Sequence, residues 1–149
     1  MMKKNILVIS LIFFLVNCGF TPIYLKNTDI NFSIEQVNYT GDKELNNFLK
    51  TNLDQYKNKK IDNKIYIQAD SIYKKIVLSK DGAGEVTNYQ LEAEVIFLIK
   101  PLSKRIKITE KKIMDSMDDK FEEARKERTI KQSFASSISN KLSLEIIVN

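Results

Sequence analysis

Three sets of residues could do chemistry in this sequence: the lone thiol of Cys18, carboxylates that come in pairs, and basic residues gathered around turns. Glu92 and Glu94 stand two apart in an alternating stretch, so they share one side of a strand, a placement a glycosidase-like carboxyl pair could use. Alternation alone also puts polar residues there, and a solvated sheet face is the simpler account. Asp118 with Asp119, and Glu122 with Glu123, open a long helical stretch, where acidic groups suit the positive end of the dipole. No histidine occurs anywhere, which removes the usual general base near neutral pH and the usual metal ligand. No metal site and no catalytic set are therefore expected. Asp81-Gly82-Ala83-Gly84 lacks both the G-x-G-x-x-G spacing and a following Lys-Ser/Thr pair, and reads as a turn.

The basic residues form a better candidate. Lys100, Lys104, Arg105 and Lys107 flank a turn at Pro101, and Lys74, Lys75 and Lys80 lie toward the Gly-rich turn. As a cluster, Lys100, Lys104, Arg105 and Lys107 could hold a phosphorylated glycolipid through charge-assisted hydrogen bonds, although single charges in such runs are usually solvated. The chain carries 24 Lys and Arg against 19 Asp and Glu, a formal charge of +5. Without Lys3 and Lys4 the remainder is about +3, spread over both signs. That excess permits contact with anionic lipid, but it lacks the dense basic clusters with interleaved aromatics of a nucleic-acid binder.

One cysteine cannot close an internal disulfide. Upstream of it Lys3 and Lys4 precede the apolar run Ile6 to Val16, about eleven residues, which is the length of a signal-peptide h-region and short of the roughly 20 needed to span a bilayer. Leu15-Val16-Asn17-Cys18 resembles the lipobox of bacterial lipoproteins, in which a leucine lies three residues before a cysteine that is lipidated and becomes the new N-terminus. Asn17 departs from the Gly, Ala or Ser usual at that place. The resemblance implies a signal peptide over residues 1–17, lipidation of Cys18, and no cofactor beyond that covalent lipid. Gly19 stands where the inner-membrane retention signal would place Asp, so the expected destination is the outer membrane. Several acyl chains would anchor there a domain that one chain holds only marginally. Residues 18–29, with Phe20, Pro22 and Tyr24, then form a tether.

Residues 30–149 read as one domain. Ile30, Phe32 and Ile34 alternate with polar residues as a strand, continued by Val37 and Tyr39 after a phase slip that a bulge could absorb. Leu45, Phe48, Leu49, Leu53 and Tyr56 share a helical face behind Asp42 as N-cap. Ile65, Ile67 and Ala69, then Tyr89, Leu91, Ala93, Val95, Phe97 and Ile99, mark two strands joined as a hairpin by the Gly-rich turn. Beyond Pro101, Ile106 and Ile108 begin another strand. From Met114 onward the tail has no Gly or Pro, and Met117, Phe121, Ala124, Phe134, Ile138, Leu142 and Ile146 fall at helical spacings. Its middle, Arg125 to Lys131, is so charged that it must be partly exposed or meet a polar surface. The order β-α-β-β-β-α predicts an α+β two-layer sandwich: a four-stranded, mostly antiparallel sheet covered by two helices.

Cys18, Gly19, Phe20, Pro22, Ile23 and Tyr24, followed by that element order and by "FEEARKERTIKQSFASSISNKL", resemble the LptE family of lipopolysaccharide-assembly lipoproteins in its short form. Phe121, Ala124, Glu127, Arg128, Ile138 and Leu142 carry the second match, and Ser116-Met117 replaces the family's frequent Ser-Tyr pair. The resemblance implies a non-enzymatic outer-membrane subunit that plugs an LptD-like β-barrel, assists its assembly and contacts lipopolysaccharide. No nucleic-acid partner is implied. Two other readings fit the residues: a free periplasm-facing lipoprotein that binds lipid between sheet and helices, and an accessory scaffold of another envelope complex such as the barrel-assembly machinery.

Overall fold

A computed structural model describes residues 31–57 and 60–147. Cys18, the expected signal peptide 1–17, the tether 18–29 and Ile30 lie outside the described residues. Strand β1 (Ser33–Gly41) leads to helix α1 (Lys43–Leu53), a single 3-10 turn (Asp54–Tyr56), strands β2 (Lys64–Lys80), β3 (Val86–Lys100) and β4 (Lys104–Asp115), and helix α2 (Lys120–Ile147). The sheet order is β1-β2-β3-β4. β1 runs parallel to β2, and β2, β3 and β4 are antiparallel neighbours. The expected α+β sandwich is the observed fold.

Local chemistry accounts for each element. The phase slip in β1 is a bulge: Ile34 pairs with Ile65 and Gln36 with Tyr66, leaving Glu35 as the extra residue. Phe32 and Ile34 point inward before it, and Val37 and Tyr39 pack against the core after it. Asp42 caps α1, its Oδ1 accepting from the Leu45 N–H at 2.7 Å. Between strand and helix, Gly41 has φ +91°, and a Cβ there would lie 1.8 Å from the Ser71 carbonyl oxygen, so only glycine fits. In the β2–β3 turn, Asp81 Oδ1 accepts from the Ala83 and Glu85 N–H groups at 2.9 Å each, and Gly84 takes φ +87°.

The core lies between one sheet face and the two helices. Ile65, Ile67 and Ala69 of β2, Leu91, Ala93, Val95, Phe97 and Ile99 of β3, and Ile106, Ile108 and Met114 of β4 meet Leu45, Leu49 and Leu53 of α1 and Ile130, Phe134, Ile138, Leu142 and Ile146 of α2. The start of α2 departs from the expectation. Met114 belongs to β4, where it pairs with Tyr89 and is 1% exposed. The helix begins only after Asp119, whose Oδ1 accepts from the Phe121 and Glu122 N–H groups. Phe121 is 77% exposed and Ala124 is exposed as well, while Glu123 is buried. The charged first turns of α2 follow the polar side chains they can pair with, which rotates Phe121 away from the sheet.

Candidate functional surface

The helices cover one face of the sheet and leave the other open. By strand alternation the open face carries Tyr66, Ile72 and Ile76 of β2, Ile96 and Leu98 of β3, and Ile113 of β4, most of them substantially exposed. Among them stand cross-strand ion pairs: Lys107 Nζ lies 2.8 Å from Glu94 and Lys111 Nζ 3.0 Å from Glu92. Glu92 and Glu94 do share one side of β3, and each is held by a lysine of β4 on an open surface. The face is thus apolar ridges separated by neutralised charge.

The structure splits the four basic residues predicted around the Pro101 turn. Lys100 and Arg105 fall on the open face, since Lys100 pairs with Tyr66 and Arg105 with Leu98 in register. Both are exposed, and no side-chain hydrogen bond or ion pair engages either among the described residues. Lys107 is on the same face but bound to Glu94. Lys104 turns toward the helices, where its ammonium donates to the Glu145 carbonyl at 2.7 Å and lies 3.3 Å from the Glu145 carboxylate. Lys100, with Gln36, Asn38 and Tyr66, lines a shallow depression of about 230 Å³. Arg105, with Thr40, Asp70, Ile96 and Leu98, lines a second of about 490 Å³. Cation beside apolar strand surface can hold an amphiphile with an anionic head; it offers no nucleophile and base in contact.

A second polar assembly was not anticipated. Lys75 of β2 turns inward, its ammonium 2.9 Å from both Glu123 and Glu127 of α2 and 4.2 Å from the Tyr89 ring centroid. Tyr73 donates to Glu127 at 3.0 Å, and Lys131 lies over the Tyr73 ring at 4.0 Å while contacting Glu44 at 2.9 Å. Glu123 also accepts from the Met117 N–H at 3.0 Å and from Ser116 at 3.1 Å, and Lys120 lies 3.1 Å away. The Met117 N–H and the Lys75 ammonium, acting against burial, hold the Glu123 carboxyl down at about 2. Burial alone would lower Lys75, but its bonds and charge interactions with Glu127 and Glu123 outweigh that and raise it. Burial, and then the bond to Glu127, push the Tyr73 phenol well above its ordinary range.

This seam is where the charged middle of α2 docks, so its polar partner is the same chain. The signal was present: Tyr73 and Lys75 continue the parity of Ile65, Ile67 and Ala69, which requires them to face the helices. Of the three lysines expected near the Gly-rich turn, Lys75 is thereby removed from the surface set, and Lys74 stays on the open face opposite Glu92.

The sequence matches no protein-family model, and no curated protein matches it significantly. Solved structures do match. The rare lipoprotein B of Shewanella oneidensis superposes with a TM-score of 0.55 at 16% identity, covering 76% of this chain and 93% of its own. A minor lipoprotein from Acinetobacter baumannii gives 0.55 at 12% identity, covering 78% and 95%. The uncharacterized lipoprotein B of Nitrosomonas europaea gives 0.52 at 17% identity, covering 76% and 83%. At identities this low the likeness is one of fold, and the chain has the architecture of these three solved lipoproteins.

Proposed function

We propose that this protein is an outer-membrane lipoprotein, anchored through acyl chains on Cys18, whose domain plugs an LptD-like β-barrel, assists its assembly and contacts lipopolysaccharide. The observation that carries the reading is the fold shared with solved lipoproteins over three quarters of the chain, joined to a leader and Cys18 in lipobox order. The open face supports it: a plug inside a large barrel meets a polar, hydrated wall, and the Lys107–Glu94 and Lys111–Glu92 pairs give that face mixed and locally neutral charge. The role is binding and assembly, not catalysis. Lys100 and Arg105 are the residues proposed to meet lipopolysaccharide phosphates, since Lys104 and Lys107 of the expected cluster are held by Glu145 and Glu94.

The test is a mild-detergent pull-down of the tagged full-length protein from native outer membranes, with mass spectrometry of what accompanies it. Recovery of one large barrel in roughly equal amount is the expected result. A preparation without any barrel, in detergent that preserves other envelope complexes, would overturn the plug.

A further inference from the structure

The Pro101 turn and the point where the chain enters the domain share one end of the sheet. Ser33 pairs with Lys64 at the start of β2, and Tyr66, two residues on, pairs with Lys100 at the end of β3. Asn63 ties down the incoming chain, its backbone carbonyl accepting from the Ser33 N–H at 2.8 Å and its side chain donating to the Asn31 carbonyl at 3.0 Å. Two strand spacings, about 10 Å, separate β1 from β3. At the tip of the turn Leu102 is 54% exposed, flanked by Lys100 and Arg105.

The opposite end has the other sign. Around the β2–β3 turn and the start of α2 stand Asp81, Glu85, Asp115, Asp118, Asp119 and Glu122, against Lys80, Lys120 and Arg125, the last paired with Glu122. At the entry end Lys64 is paired with Glu35 and Lys104 with Glu145; an exposed Asp62 stands there too, and Lys100 and Arg105 are cations without an acidic partner among the described residues. The domain therefore has a basic, Leu-tipped end and an acidic end.

We propose that the Pro101 turn is a membrane-contact element: Leu102 enters the headgroup region of the anionic leaflet that holds the acyl anchor, and Lys100 and Arg105 bind lipid phosphates around it. This rests on the lipid-anchor reading of Cys18. The dozen or so residues between Cys18 and Asn31 reach at most ~40 Å, about the length of α2 itself, with 28 residues at roughly 1.5 Å each. The leash lets the entry end reach the bilayer without holding it there, and charge selects the orientation. Anionic lipid attracts the basic end and repels the acidic one, within about a Debye length of 8 Å at physiological salt. The consequence, for the anchored domain before it meets a barrel, is that it stands upright on the membrane with the β2–β3 turn farthest from it.

The experiment uses full-length acylated protein with one added cysteine, Leu102→Cys or Ala83→Cys, labelled with an environment-sensitive fluorophore. The protein is reconstituted into brominated phosphatidylcholine vesicles with or without phosphatidylglycerol, and without lipopolysaccharide. With phosphatidylglycerol, the label at position 102 should be quenched about twofold more than that at position 83. The difference should fall in about 1 M salt and on adding Lys100→Glu with Arg105→Glu, whose unchanged circular dichroism confirms folding. Flotation with equal quenching at both ends overturns the proposal alone. Failure of the acylated protein to float with either vesicle overturns the anchor reading together with it.

Discussion

The Lys75 ammonium lies 2.9 Å from the Glu123 carboxylate, joining the middle of β2 to the first turns of α2 across 48 positions of sequence. Glu123 is 5% exposed, so removing one partner leaves the other in a poorly solvated place. Glu123→Ala is expected to lower stability by about 2–3 kcal/mol. A double-mutant cycle with Lys75→Met should return a coupling on the order of 1 kcal/mol or more. Urea unfolding of the four proteins measures both.

The same pair sets the acid limb. Unfolded, Glu123 takes up its proton near the ordinary carboxylate value of about 4.3; folded, it stays ionised down to about 2. Between those values the unfolded chain binds a proton that the folded one does not, so this contribution is complete above the window and is lost as pH falls through it. Glu123→Gln should flatten the urea midpoint between neutral pH and pH about 2, and an unchanged acid slope would remove Glu123 from the account.

At the alkaline end the sign reverses. Burial, with the Asp54 charge, pushes Tyr39 up to about 12, and Tyr73 is raised further. Both phenols stay protonated in the fold after they would ionise in the unfolded chain, so their contribution is complete below pH about 10 and is lost as pH rises beyond it. Tyrosinate absorbance should show a late-titrating component, and Tyr73→Phe should diminish it.

Two glycines separate close approach from turn chemistry. Gly41 has both φ +91° and the Ser71 carbonyl at 1.8 Å from a built Cβ, whereas Gly84 has φ +87° with nothing within 4 Å. Gly41→Ala should cost about 3 kcal/mol or more, against about 1 kcal/mol for Gly84→Ala. Thermal melts rank them.

Phe121 is an apolar residue on a helix that the core does not use, at 77% exposed, while Ile138 is at 0%. Phe121→Ser should change stability by no more than about 0.5 kcal/mol, and Ile138→Ala should cost about 3 kcal/mol. Lys100→Glu with Arg105→Glu belongs with the neutral changes in stability, and should weaken lipopolysaccharide binding in a sedimentation assay. Lys104→Glu would also break the contact to Glu145, so loss of binding there needs a folding control.

Short-range regularities made much of the molecule legible from sequence. Alternation over Tyr89 to Ile99 named an interior strand, the Asp81 turn closed the hairpin, Asp42 capped α1, and the slip before Val37 announced a bulge; each is a rule between residues close in the chain. The extent of α2 and its buried face could not be obtained in that way. Met117, Phe121 and Ala124 have the spacing of a core stripe, yet Glu123 is buried because Lys75 and the Met117 N–H satisfy it, and those partners are fixed only when β2 and α2 pack. The basic turn divided for the same reason: Lys104 finds Glu145 and Lys107 finds Glu94 across elements, and only Lys100 and Arg105 keep their charge at the surface. Sequence by itself determined the elements, their order and the apolar sheet face. Tertiary structure decided which charges are spent inside the fold and which remain for a partner, because pairing between distant residues depends on where packing brings them.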